Sequence, residues 1–376
     1  MKLFQPIQGS IESKETQENL IDRGQLQVNV TSSVNAFPVK EARISISYTG
    51  IPESILEQLV TDSSGQTEVV ELNAPPEEWS LDENEERQPY SEYTLNIEAE
   101  GFESISVSGT EILANTKAIQ NVRMKQKDQS REEEQVFVIP AHTLYGNYPP
   151  KIAESEIKPV TGSGEIVLSR VVVPQTVIVH DGVPTNASAP DYYVPYRDYI
   201  KNVASSEIYA TWPKSSITAN VLAIMSFTLN RVYTEWYRAK GYSFTITSST
   251  AYDQKFIYGR NIYSNIDRLV DSIFANYLSR PGVRQPIFTS YCDGNRVSCQ
   301  GLSQWGSKYL GDQGYSAIEI IRYYYGNDMY INAAQAISGV PSSWPGYDLT
   351  IGASGPKVRQ IQEQLNRIAQ NYPAIP

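Results

Sequence analysis

From residue 25 onward the chain alternates apolar and polar positions. GQLQVNVT sets Leu26, Val28 and Val30 on one side of a two-residue period. ARISISY does the same with Ile44, Ile46 and Tyr48, and YTLNIEAEGF with Tyr93, Leu95 and Ile97. Turn-forming clusters, DSSGQ at 62–66 and the NAPPEEW run, separate these segments. Alternation of this kind predicts half-buried antiparallel strands, and the stretch 25–126 predicts a small β-sandwich. Residues 1–24 are polar and form an N-terminal arm. The charged run KQKDQSREEEQ passes into a Pro-containing extended segment, AHTLYGNYPPK, and 127–164 is expected as a linker. SGEIVLSRVVVPQTVIVHDG then carries two β-branched runs that predict strands opening a second domain over 165–335.

Between 195 and 280 the period changes to that of a helix. In DYIKNVASSEIYATWP, counting back from Glu207 by threes and fours meets Ala204, Val203, Ile200 and Tyr199. Glu207 therefore shares the apolar stripe and points to the core or into a cleft, where burial favours its neutral form. SSITANVLAIMSFTLNRVYTEWYRAKG keeps apolar residues over a wide arc, which predicts a buried central helix closed by Gly241. NIDRLVDSIFANYL and AIEIIRYYYG predict two further helices, and QPIFTSYCDGNRVSCQG a strand, a turn and a strand. The fold class is α+β.

Composition narrows the partners. The 376 residues suffice for two or three domains, and no run of 18 apolar residues predicts a membrane span. A net charge of −11 argues against nucleic acid, whose phosphates need clustered cations. The start MKLFQPIQGS has no hydrophobic signal core. With 26 Tyr and 5 Trp, some aromatic rings are available for stacking on sugars. The two cysteines, Cys292 and Cys299, are either a disulfide or two free thiols. The two histidines, His142 and His180, leave little room for a His-based triad or metal site, and both are expected to be structural.

Three blocks in order carry a resemblance: VPYRDYIKNVASSEIYATWP, the long helix after it with TSSTAYDQ downstream, and GLSQWGSKYLGDQGYSAIEIIRYYYG. Together they resemble the SpoIID/LytB catalytic domain of peptidoglycan lytic transglycosylases, with the best fit to SleC-like spore cortex-lytic enzymes. The 25–126 region looks like a carboxypeptidase-regulatory-like module. Within 336–376, GASGPKVRQIQEQLN looks like the start of a peptidoglycan-binding type 1 repeat, here truncated.

The resemblance implies that Glu207 is the catalytic acid, protonating the leaving oxygen before the sugar's own 6-hydroxyl closes a 1,6-anhydro ring. It implies peptidoglycan strands as the partner, a spore-cortex or cell-wall location, and an activating protease if the chain is a zymogen. Ser303, Gln304 and Trp305, with Tyr252, Asp253 and Gln254, are expected to contact substrate. No cofactor is expected. Nor is zinc, because the positions matching the family's Cys and His ligands read Ser249-Thr250-Ala251 and Cys299-Gln300-Gly301. The family's Ala-Arg-Thr-Tyr run is Ile224-Met225-Ser226-Phe227 here, so one substrate-holding Arg is missing. These departures leave a non-cutting glycan-binding scaffold open. A muramidase-type hydrolase also stays open, needing a second carboxylate from Asp198, Asp253 or Asp293.

Overall fold

A computed structural model describes residues 21–34, 36–127, 134–158, 170–334, 336–337 and 351–355, with 358–359, 361–362 and 365. The expected N-terminal arm, apart from 21–24, lies outside the described residues, as does most of the C-terminal repeat.

The protein is α+β. Among the described residues its first part contains eight strands: β1 (Asp22–Ser32), β2 (Arg43–Tyr48), β3 (Ile55–Val60), β4 (Val70–Ala74), β5 (Ser91–Glu98), β6 (Ile105–Ile112), β7 (Lys117–Met124) and β8 (Gln135–Val138). The alternating residues define its interior: Leu26, Val28, Val30, Ile44, Ile46, Tyr93, Leu95 and Ile97 are all buried. One sheet runs β3-β2-β5-β6-β8. Its pairs are antiparallel except β6–β8.

The second sheet runs β13-β7-β1-β4. Its outer strand β13 (Ile262–Tyr263) belongs to the helical part of the chain and pairs antiparallel with β7. The two regions also share a buried polar seam. Asn261 Oδ1 accepts from the Glu111 N–H at 3.0 Å and Asn261 Nδ2 donates to the Glu111 carbonyl at 3.0 Å, while Arg260 pairs with the Glu111 carboxylate. Burial still raises that carboxyl to about 7, against the opposing pull of Arg260. A further link runs from Trp212 Nε1 to the Ser80 carbonyl at 2.9 Å.

The helical part opens with β9 (Val172–Val173), β10 (Thr176–His180) and β11 (Asp191–Pro195), and β11 runs directly into α1 (Tyr196–Glu207). Pro195 and Pro213, both extended in φ/ψ, stand immediately before α1 and α2 (Lys214–Tyr233). Proline at these positions withholds an N–H that the first helical turn could not have used. α2 is buried along nearly its whole length. It stops at Tyr233 rather than running to Gly241; Gly241, at φ +87°, instead closes a short 3-10 turn at Arg238–Lys240. β12 (Ile246–Thr247) adds to β10, and α3 (Ser264–Ile273) is followed by β14 (Asn276–Ser279), so the NYL end of NIDRLVDSIFANYL leaves the helix to form a strand.

β15 (Tyr291–Cys292) and β16 (Leu302–Ser303) pair in parallel, Tyr291 opposite Leu302 and Cys292 opposite Ser303. The expected hairpin is therefore a loop that returns the chain in the same direction. Gly301, at φ +130°, makes this possible, since a Cβ there would lie 1.9 Å from the Ser290 carbonyl oxygen. α4 (Gln304–Asp312), α5 (Ala317–Tyr325), β17 (Tyr330–Ala333) and β18 (Ala336–Ile337) follow. No described helix is long and apolar enough to cross a membrane.

Candidate active site

Glu207 is the last residue of α1 and is 3% exposed. Ile208 turns to extended backbone and still donates to the Ala204 carbonyl, which fixes the helix end under the carboxyl. The Lys255 N–H donates to Glu207 Oε1 at 2.7 Å. Glu207 Oε2 is buried with no hydrogen-bond partner among the described residues. Burial pushes the carboxyl above the ordinary Glu range; Lys151, the Tyr291 hydroxyl and Lys255 pull in the other direction without cancelling it. The Tyr291 hydroxyl acts on this carboxyl without a hydrogen bond of normal geometry, and burial together with the Glu207 charge raises its own pKa.

Glu207 lines a cleft of about 260 Å³. Part of its lining comes from Tyr291 of β15, from Asp293, Arg296 and Val297 in the loop after it, and from Gln304 at the start of α4. The rest of the lining includes Thr143 and Gly146–Lys151, drawn from the segment expected as a linker. That segment is pinned at both ends. His142 is buried, with its N–H donating to the Tyr90 hydroxyl at 3.0 Å and its ring 4.6 Å from that of Tyr209. Glu154 takes both terminal nitrogens of Arg231, at 2.6 and 2.9 Å.

Lys151 brings a cation into the cleft. Its Nζ donates to the Asp253 carbonyl and stands 4.6 Å from the Tyr291 ring centre and 4.9 Å from that of Phe227. Phe227 belongs to the run where the resemblance expected an Arg, so a cation reaches this neighbourhood from another part of the chain. Burial lowers the Lys151 pKa, and Glu207 opposes that shift. Replacing Lys151 with Met is expected to move the alkaline limb of the pH–activity profile upward, because Glu207 loses its strongest neighbouring positive charge. Lys151→Arg is expected to restore the limb. A limb unmoved in the Met variant would show that Lys151 acts only through packing.

Of the six residues expected to contact substrate, Gln304 lines the cleft. Ser303 caps α4, its Oγ accepting from the Gly306 N–H at 2.9 Å. Trp305 is 6% exposed and packs on Trp212, ring centres 4.9 Å apart. Tyr252 gives its carbonyl to Arg231. Asp253 is fully buried against Arg231, Tyr237 and Thr247. Gln254 accepts from the Tyr199 and Thr228 hydroxyls inside the core. Lys151, Tyr148 and Tyr291 were not among the expected contacts; the dense YGNYPPK run is the signal that marks the first two.

Of the candidate second carboxylates, Asp198 lies on the exposed face of α1 near Arg123, and Asp293 lines the cleft. The Asp293 carboxylate accepts from the N–H groups of Asn295, Arg296 and Val297, which holds the loop. Cys292 and Cys299 form a disulfide across this same loop. His180 Nδ1 is 2.7 Å from Asp191 Oδ1 and its ring stacks on Phe244. Among the described residues, no three His, Cys, Asp or Glu side chains are grouped to hold a metal ion.

No family model matches the chain, and no curated protein matches it. Solved structures give a faint likeness. Catechol 1,2-dioxygenase from Acinetobacter radioresistens is 12% identical with a TM-score of 0.20, over 33% of this chain and 60% of that one. Chlorocatechol 1,2-dioxygenase from Pseudomonas putida is 15% identical with a TM-score of 0.17, over 31% of this chain and 60% of that one. A cohesin–X-dockerin complex from Acetivibrio cellulolyticus gives 15% and 0.17, over 30% and 61%. The chain thus spans about 60% of the length of the dioxygenases it matches, and likeness at this level carries no argument about chemistry.

Proposed function

We propose that the protein is a peptidoglycan lytic transglycosylase with Glu207 as its single acid/base, acting on spore cortex or cell-wall glycan. The observation that carries this is one carboxyl at a helix end, held by one N–H on Oε1, without a hydrogen-bond partner on Oε2 among the described residues, in a residue that lines a cleft. Burial keeps it protonated further toward neutral pH than an ordinary Glu, as a general acid requires. In the proposed reaction Oε2 gives its proton to the glycosidic oxygen as the C1–O bond breaks. The resulting carboxylate then takes the proton of the 6-hydroxyl as that oxygen bonds to C1. The Lys255 N–H and the Lys151 ammonium stabilise the carboxylate between the two steps. Tyr148 and Gln304 offer a ring and an amide to sugar. The two β-sheets form a sandwich-like docking module fused to the catalytic part.

A hydrolytic reading rests on Asp293, a second carboxylate lining the same cleft. Its engagement by three backbone N–H groups favours a structural role over activation of water.

Mass spectrometry of soluble products from purified cortex peptidoglycan decides between them. Anhydro-ended fragments from the native protein, absent with Glu207→Gln, are the expected outcome. Hydrated reducing ends would replace the transglycosylase with the hydrolase. No release from intact or peptide-stripped glycan would leave the chain as a binding scaffold or a zymogen.

A further inference from the structure

A second and larger cavity, about 630 Å³, lies where the β13-β7-β1-β4 sheet meets the helical part. Arg23 from β1, Lys117 from β7 and Arg268 from α3 all line it. None of the three has a carboxylate partner among the described residues: Lys117 Nζ donates to the neutral Gln27 amide at 2.7 Å, and Arg268 Nε to the Ser264 carbonyl at 3.2 Å. In a chain of net charge −11, three unpaired cations converge on one concavity. Burial and the nearby charges of Arg268 and Arg359 depress Lys117. Glu71, Glu77 and Asn115 line the same cavity, Asn115 Nδ2 donating to Glu77 Oε2 at 2.7 Å, and the carboxylates and the Asn115 amide oxygen are acceptors for hydroxyl groups. Its floor includes Ala210 and Thr211, a few residues beyond Glu207, and Asn265 Nδ2 donates to the Ala210 carbonyl at 2.7 Å.

We propose that this cavity is a second saccharide subsite that recognises a carboxylate-bearing sugar, with Arg23, Lys117 and Arg268 facing the carboxylate. Its volume falls within the range of small-ligand sites. The choice of sugar rests on the wall-glycan reading above; the anion preference does not.

The test is calorimetric titration of the full chain carrying Glu207→Gln, so that nothing is consumed. The probes are the disaccharide of N-acetylglucosamine and N-acetylmuramic acid, which bears one carboxylate, and neutral chitobiose. The acidic disaccharide is expected to bind at least about tenfold tighter than chitobiose, as charge-assisted hydrogen bonds would give. Adding Arg268→Glu or Arg23→Glu is expected to erase that preference. Both side chains are exposed, and an unchanged melting temperature checks the fold. A preference that survives both charge reversals, or no preference at all, overturns the proposal. Binding that responds to Arg268→Glu in a protein releasing no glycan would sustain the subsite while the transglycosylase reading falls.

Discussion

Glu207→Gln is expected to lower the rate of glycan cleavage by about 10²–10⁴-fold and at the same time to raise the melting temperature. The rate loss follows from removing the only proton that Oε2 can deliver, and it is in the range that general acid–base groups contribute. The stability gain has a separate origin. Burial raises the Glu207 carboxyl above its unfolded value, so between the unfolded and the folded pKa the native state holds more protons than the unfolded one. Stability therefore falls as pH rises through that window and is lowest above the folded pKa. Glutamine carries no such charge, can still accept from the Lys255 N–H and removes the slope. A gain of roughly 2 °C at neutral pH, shrinking toward pH 4, is the expected result by differential scanning calorimetry. Equal melting curves at every pH would mean that Glu207 is not held against its ionisation, and the acid role would lose its physical basis. Activity itself should fall as pH rises through the folded pKa, since the protonated form is the one that reacts.

Glu207 was legible because its signal is local. Four neighbours within two helical turns, Tyr199, Ile200, Val203 and Ala204, are all buried, and a period of 3.6 puts the carboxyl with them whatever the rest of the chain does. The strands were legible for the same reason. The Thr143 and Gly146–Lys151 part of the cleft lining was not. Lys151 lies 56 positions before Glu207 in a segment with no hydrophobic period, and what holds it there are distant partners such as Tyr90 and Arg231. The six expected contacts were chosen by proximity to quoted motifs, and sequence proximity does not say which way a side chain points. Gln304 and Trp305 are adjacent, yet one lines the cleft and the other packs on Trp212. The end of α2 was misplaced because apolar residues continue past Tyr233, whereas Glu235, at φ +46°, breaks the helix.

Asp253→Ala is expected to destabilise the protein by about 3–5 kcal/mol and to impair the active site from behind. The Asp253 carboxylate is fully committed. Oδ1 takes Arg231 Nε at 2.7 Å, and Oδ2 takes the Tyr237 hydroxyl at 2.6 Å with the Thr247 N–H and hydroxyl at 2.9 and 2.7 Å. Arg231 has no exposed side-chain surface, so deleting Asp253 strands part of a buried guanidinium and three donors. The Glu154 pair remains, which keeps the loss below that of a wholly unpaired charge. Arg231→Met combined with Asp253→Ala should therefore cost less than the sum of the two single changes, because each already leaves the other partner unsatisfied. The damage should extend to catalysis. The Asp253 carbonyl receives Lys151 Nζ, and two residues on, the Lys255 N–H reaches Glu207. Loosening this loop releases both groups that stabilise the Glu207 anion. Urea unfolding and cleavage rates on the same samples would test the coupling. A large stability loss with an unchanged rate, measured where the variant is still folded, would show that the loop holds the fold but not the acid.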